Sequence, residues 1–148
     1  MTTQMQQVEG ISDVVKVFNG GIEFYKQSID EVENPKVRQI FQKMIAEKDQ
    51  AVTELQPFAI AEQGEVENDT SWAVKMREVY TSAAAKVSDN TTHTYVKQLE
   101  EVEDKVLDVL DDALEQDQPS QLMAVLNRIR ARAQNMHDEM KALQDSTE

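Results

Sequence analysis

The chain has 148 residues and no cysteine, and its 28 acidic residues against 15 lysines and arginines give a net charge of −13. This is the length of one ordinary domain, and the lack of cysteine excludes disulfides, thiolate metal sites, iron–sulfur clusters and cysteine nucleophiles. The negative charge disfavours nucleic acids and anionic membrane surfaces as partners, because both favour clusters of cations.

The first predicted helix carries apolar residues every three to four positions from Ile11 to Ile29. At ~100° per residue these side chains form one narrow stripe, which is typical of a helix with one buried face. The triplet Asn-Gly-Gly at 19–21 taken alone indicates a turn, but the stripe keeps its phase through it. We therefore predict one continuous helix, in which the small residues allow another helix to approach closely.

The second predicted helix begins at Asn34-Pro35, since Asn is a good N-cap and Pro suits the first helical position. Its apolar stripe runs from Val37 to Leu55. We expect Pro57 to end or kink this helix, because the proline ring clashes with the carbonyl group four residues earlier.

A long connection follows the second helix. Residues 61–70, AEQGEVENDT, have the composition of an acidic loop. Thr70 or Ser71 can then cap a shorter helix over roughly 71–87, with Trp72 on its apolar face. Such an amphipathic helix in the connection is expected to cover the core or to supply a dimer contact.

The third and fourth predicted helices form the second half of the chain. The third runs from about Thr91 to Gln116, and residues 117–119, Asp-Gln-Pro, make a tight connection to the fourth. The apolar stripe of the fourth helix extends to Leu143. No apolar run in the chain reaches the ~20 residues of a membrane span, and the N-terminus has no signal-peptide pattern.

The predicted fold is therefore all-α, with two helical hairpins joined by a long crossover. A short loop makes the helices of each hairpin antiparallel, and the crossover lets the second pair pack beside the first. This is the ferritin-like form of the four-helix bundle, with a short additional helix in the crossover. We expect residues 1–148 to form a single domain, with frayed tails at 1–8 and 145–148.

Four segments of the sequence carry a resemblance to a known family: GIEFYKQSIDEV (21–32), IFQKMIAEKDQAVTELQ (40–56), EEVEDKVLDVLDDAL (100–114) and MHDEMKAL (136–143). From about Ile11 to Leu143 the chain resembles a ferritin-like four-helix-bundle family of bacterial proteins of unknown function. The resemblance implies a ferritin-like fold. It implies little about activity, since fold does not determine function.

Ferritin-like di-iron proteins need a Glu from each of two helices and a Glu-x-x-His from each of the other two. This chain has Gln50 where the second helix needs His, and Gln134 where the fourth needs Glu. Glu103 lies on the apolar face of the third helix, and Glu47 and His137 lie at the edges of their stripes. These three residues are candidate ligands for one iron, manganese or zinc ion.

A structural interpretation of the same carboxylate is also open. Lys48 lies close to the apolar stripe of the second helix and is an obvious partner for Glu103. Tyr25 faces inward on the first helix, as a core aromatic with a satisfied hydroxyl, whereas Glu23 lies on the outer face. A buried ion pair would then take the place of a metal site.

Two hypotheses follow from the sequence. The first is a non-catalytic ferritin-like bundle that acts as a binding or assembly protein, in stress physiology as in parts of the wider superfamily. It is expected to be cytoplasmic and to form a homo-oligomer. The alternative is a metalloprotein that binds iron, manganese or zinc through Glu103, Glu47 and His137.

Overall fold

The structure is a computed structural model, and it describes residues 8–72 and 91–147. The described residues form four α-helices and no strand: α1 (Ile11–Ile29), α2 (Pro35–Gln63), α3 (Thr91–Glu115) and α4 (Ser120–Ser146). The prediction of an all-α chain with four long helices is confirmed. The short helix predicted over 71–87 lies, beyond Trp72, outside the described residues.

The helix α1 passes through residues 19–21 without interruption, as its apolar stripe predicts. The start of α2 is also confirmed, because the Asn34 side chain accepts hydrogen bonds from the backbone N–H groups of Lys36 and Val37. In both places side-chain burial and capping decide the local structure more strongly than the turn signals do.

Of the two expectations for Pro57, an end or a kink, the end is wrong, because α2 continues through it to Gln63, and the loop expected from residue 61 starts later. Leu55 and Ala59 on either side of the proline are buried in the core, while Pro57 itself is exposed. The packing of these neighbours outweighs the one backbone hydrogen bond that proline removes. The helix ends instead at Gly64, whose φ of 89° suits glycine.

The start of α1 is fixed by groups from two other elements. The Glu62 carboxylate, at the end of α2, accepts hydrogen bonds of 2.7 Å from the backbone N–H groups of Gly10 and Ser12. It thereby satisfies donors that a helix leaves free at its N-terminus. The Gln118 side chain, between α3 and α4, exchanges two hydrogen bonds with the Glu9 backbone.

Among the described residues, α1 packs against α2 and α3, and α4 packs against α3 and α2, with no backbone contact along the two diagonals. The core is formed by the apolar faces of all four helices. Within the part of the chain that the structure describes, none of the helices is long and apolar enough to traverse a lipid bilayer.

Candidate functional site

A charged pair lies at the centre of the core, where the sequence places a carboxylate among apolar residues. The Lys48 ammonium group of α2 contacts both carboxylate oxygens of Glu103 of α3, at 2.7 and 2.6 Å. Both side chains have no exposed surface. The pair spans a diagonal of the bundle, where the two helix backbones themselves make no contact. The predicted partnership of Glu103 with Lys48 is confirmed.

Tyr25 of α1 completes this cluster, which we call the central cluster (Tyr25, Lys48 and Glu103). Its hydroxyl donates a 2.5 Å hydrogen bond to Glu103 Oε2, and its ring lies 5.1 Å from the Lys48 ammonium. The ring also packs edge-on against Phe41. Burial raises the pKa of the Tyr25 hydroxyl well above its ordinary value, and the neighbouring Glu103 charge raises it further. Tyr25 is therefore a neutral donor to the Glu103 carboxylate.

The other helices make room for the lysine stem. A Cβ atom at Gly21 of α1 would lie 3.4 Å from Lys48 Cε and 3.3 Å from a methyl group of Val102. The Met136 sulfur of α4 lies 3.9 Å from the ammonium nitrogen. Each of the four helices thus contributes at least one residue to the layer around the ion pair. The glycine at 21 is explained by this close approach.

The energetic consequence of the central cluster follows from its burial. Two charges removed from water cost several kcal/mol each, and only close geometry and additional hydrogen bonds offset that cost. Glu103 has both, since its two oxygens accept three contacts from Lys48 and Tyr25. Removal of one partner would leave an uncompensated buried charge.

The three candidate metal ligands have different partners. Glu103 is bound within the central cluster, whereas the Glu47 carboxylate lies 2.9 Å from the Arg132 guanidinium group. His137 of α4 contacts acids of α3. A metal site built from Glu103, Glu47 and His137 therefore stays a prediction. Glu23 is half-buried and lies 3.9 Å from Lys26.

His137 belongs to a second cluster, at the edge of the α3–α4 pair. Its Nε2 atom lies 2.7 Å from Asp104 Oδ1 and 3.1 Å from Glu100 Oε1, and its Nδ1 atom lies 3.3 Å from Asp138 Oδ1. We call these four residues the histidine cluster. The ring and the Glu100 side chain are 15% and 14% exposed, whereas Asp104 is 54% exposed.

The protonation of the histidine cluster reflects its three carboxylates. Partial burial acts to lower the pKa of the His137 ring, but the acids on both sides outweigh it and raise that pKa above its ordinary value. Hydrogen bonds from Gln134 and His137 lower the pKa of Asp138. The cluster therefore favours a positive charge between its carboxylates.

Glu100 and Asp104 are functional candidates that the sequence alone did not single out. They lie four residues apart, so they share one face of α3 and can act on one point. In the described residues their carboxylate oxygens and an imidazole nitrogen of His137 form one group, with all three atoms within 4.8 Å of one another. The i,i+4 spacing was the available signal, but seven other acids between 100 and 117 make it hard to recognise.

Comparison with known proteins defines the family. Residues 6–116 match the family described as a domain of unknown function, DUF2383. The chain belongs to this family. All three residues of the central cluster lie within the part that matches DUF2383, whereas His137 lies beyond it. No curated protein and no solved structure matches the chain.

Proposed function

We propose that this chain is a non-catalytic ferritin-like bundle that acts by binding or assembly rather than by redox chemistry in its core. One observation carries this proposal: the Lys48 ammonium group contacts both oxygens of Glu103 in the middle of the bundle. Ferritin-like di-iron proteins hold their metal ions between inward-facing carboxylates of the four helices. In this chain the ammonium group supplies the positive charge there.

The contacts between helix ends support the ferritin-like arrangement with two antiparallel hairpins. The start of α1 lies beside the end of α2 through Glu62, and His93 at the start of α3 lies 3.1 Å from Thr147 after α4. The α2 and α3 helices occupy a diagonal. In the ferritin-like fold the second and third helices are joined by a long crossover, as the length of chain between α2 and α3 allows.

The donor set of the core also favours a non-catalytic role. A di-iron centre needs several inward carboxylates, and here Glu103 is already engaged by Lys48 and Tyr25. Glu47 is held by Arg132 at the edge of the core. An iron ion at the centre would have to displace a buried ammonium group whose carboxylate partner, among the described residues, is Glu103.

The assembly part of the proposal concerns the outer end of α2. Ile60 and the following Val66 are the large apolar side chains that remain exposed in the described residues, at 43% and 53%. A second copy of the chain is the expected occupant of this surface in a homo-oligomer. The proposal keeps the expectation of a cytoplasmic protein that does not bind nucleic acid.

The core part is tested with iron. Chelator-treated protein is loaded anaerobically with Fe(II), desalted and exposed to oxygen, while bound iron and absorbance changes are measured. We expect no iron that depends on Glu103 and no oxygen-dependent oxidation above the buffer rate. One or more irons per chain that are lost in Glu103→Gln would contradict the proposal and favour the metalloprotein alternative, and rapid oxidation of that iron would favour redox chemistry.

The assembly part is tested by light scattering over a concentration series. We expect a mass above that of one chain, reduced by Ile60→Lys or Val66→Lys. Ala46→Lys is a matched control, because Ala46 is an exposed residue of the same helix. A monomer at every concentration would contradict the assembly part and leave the core part untouched.

A further inference from the structure

The histidine cluster places three carboxylates around one imidazole ring, and a neutral imidazole cannot balance their negative charge. Both ring nitrogens face carboxylate oxygens: Nε2 faces Asp104 and Glu100, and Nδ1 faces Asp138. A neutral imidazole has one N–H group, so one of its nitrogens would face a carboxylate lone pair to lone pair. A proton or a metal ion at Nε2 removes this conflict, because Nδ1 can then donate its N–H group to Asp138.

We propose that His137, Glu100 and Asp104 form a site for one divalent transition-metal ion, bridging α3 and α4 outside the central cluster. The three residues supply one imidazole nitrogen and two carboxylate oxygens, which is a donor set for zinc, manganese or iron(II). The site differs from the predicted one, since it shares only His137 with it. It is also independent of the proposed function, because it leaves Glu103 with Lys48.

The positions of the donor atoms suit a small ion. The three atoms lie within 4.8 Å of one another, and two oxygens lie at hydrogen-bond distance from Nε2. Zinc binds nitrogen and oxygen ligands at ~2.0–2.2 Å, so an ion that replaces the Nε2 proton needs only small side-chain shifts. Water can fill a fourth position from the side of Asp104, which is half exposed.

The opposite side of the imidazole is already arranged for metal binding. A histidine ligand usually donates its second N–H group to a carboxylate, which fixes the ring orientation and raises the basicity of the ligand nitrogen. Here Nδ1 lies 3.3 Å from Asp138 Oδ1, and the Gln134 side chain donates a 3.0 Å hydrogen bond to the same oxygen. Asp138 is therefore a positioning residue for His137.

A zinc titration of the chelator-treated full-length chain tests the site. Isothermal titration with Zn²⁺, in a buffer that does not bind zinc, is expected to give one ion per chain. His137→Gln and Asp104→Asn are expected to lose the saturable binding step. Asp138→Asn is expected to weaken binding by about 10-fold and to keep the stoichiometry, as partners of metal-bound histidines generally do.

The chain offers matched controls for His137 and Asp104 and a variant that tests the predicted site separately. His93→Gln removes the other histidine, and Asp108→Asn removes an exposed acid one turn beyond Asp104 on the same helix. Glu47→Gln removes a ligand of the predicted site without changing the proposed one. All three variants are expected to bind zinc within about twofold of the unmodified chain.

Four outcomes would overturn the proposal. Three of them are the absence of a saturable step at one ion per chain, binding that survives in His137→Gln, and binding that is lost equally in Asp108→Asn. The fourth is loss of binding in Glu47→Gln, which would favour the predicted site instead. Circular dichroism of each variant without metal shows whether lost binding reflects lost folding. Because iron loading at Glu103 and zinc binding at His137 respond to different substitutions, failure of one proposal does not imply failure of the other.

Discussion

Glu103 and Asp104 are neighbours on α3, and they lie in contrasting environments. Glu103 has no exposed surface and is neutralised by Lys48 from across the bundle, whereas Asp104 is half exposed and faces His137. In the core, the fully buried Lys48 side chain contacts the Glu103 carboxylate. At the edge, the Asp104 carboxylate faces the His137 imidazole, which can carry either a proton or a metal ion. Burial therefore decides which of the two adjacent acids is structural: Glu103 is buried and Asp104 is exposed.

The largest expected effect comes from removing the core cation. Lys48→Met should lower the free energy of unfolding by about 3–5 kcal/mol, because Glu103 then stays buried without its partner. Lys43→Met is the control, since Lys43 lies on the same helix, α2, and forms an exposed pair with Glu139 of α4. It should cost at most about 1 kcal/mol. Urea unfolding followed by circular dichroism measures both, and equal effects would contradict the contrast between core and edge.

Tyr25→Phe should have the next largest effect and lower the free energy of unfolding by about 1.5–3 kcal/mol, the usual contribution of a hydrogen bond to a charged group. The difference in stability between the unmodified chain and Tyr25→Phe should depend on pH. Since the folded-state pKa of Tyr25 is raised, the unfolded chain loses the phenol proton first, near pH ~10. The tyrosine contribution is therefore complete below that pH and declines above it. Urea unfolding from pH 8 to 10.5 should show the two proteins converging, and a constant gap would contradict the assignment.

A smaller effect is expected where α1 approaches Lys48. Gly21→Val should destabilise the chain by about 1–3 kcal/mol, because its side chain must displace the lysine stem or Val102. Gly21→Ala should cost less, since the gain in helix propensity of roughly 1 kcal/mol offsets the tighter contact. Thermal unfolding of both variants shows which substitution lowers the stability more. If valine were tolerated as well as alanine, the lysine stem would not be confined there.

The smallest effect should come from the histidine cluster without metal. In the presence of a chelator, Asp104→Asn should change the free energy of unfolding by at most about 1 kcal/mol, as expected for a partly exposed pair. With excess Zn²⁺ the unmodified chain should gain stability, and the variant should not. A large decrease in the free energy of unfolding of Asp104→Asn in the presence of chelator would mean that Asp104 is a structural residue, and it would contradict the contrast with Glu103.

The four long helices and the buried partnership of Glu103 with Lys48 could be predicted because both depend on helical periodicity. Each stripe fixes which residues share a face, and the two side chains lie near the middle of theirs. The continuation of α2 past Pro57 could not be predicted, because it depends on the packing of Leu55 and Ala59 against other helices. Local proline chemistry alone favours a break.

The partners of boundary residues were also beyond the sequence, because they depend on the register between helices. In the described residues, Arg130 of α4 pairs with Asp111 of α3, whereas Arg128 and Arg132 lie two residues to either side of it and turn to α2. These two contact Glu54 of α2. For the same reason, the approach of Glu100 and Asp104 to His137 could not be predicted, because it depends on the register between α3 and α4.

A double-mutant cycle on Lys48 and Glu103, in the presence of a chelator, tests directly whether Lys48 takes the place of a metal ion at the centre of the bundle. The free energies of unfolding of the unmodified chain, Lys48→Met, Glu103→Leu and the double variant give the coupling between the two side chains. We predict that the double variant is at least as stable as either single variant, with a coupling of about 3 kcal/mol or more, unchanged by added metal. Additive losses, or a Glu103 effect that appears only with metal, would contradict the claim that Lys48 takes the place of a metal ion at the centre of the bundle.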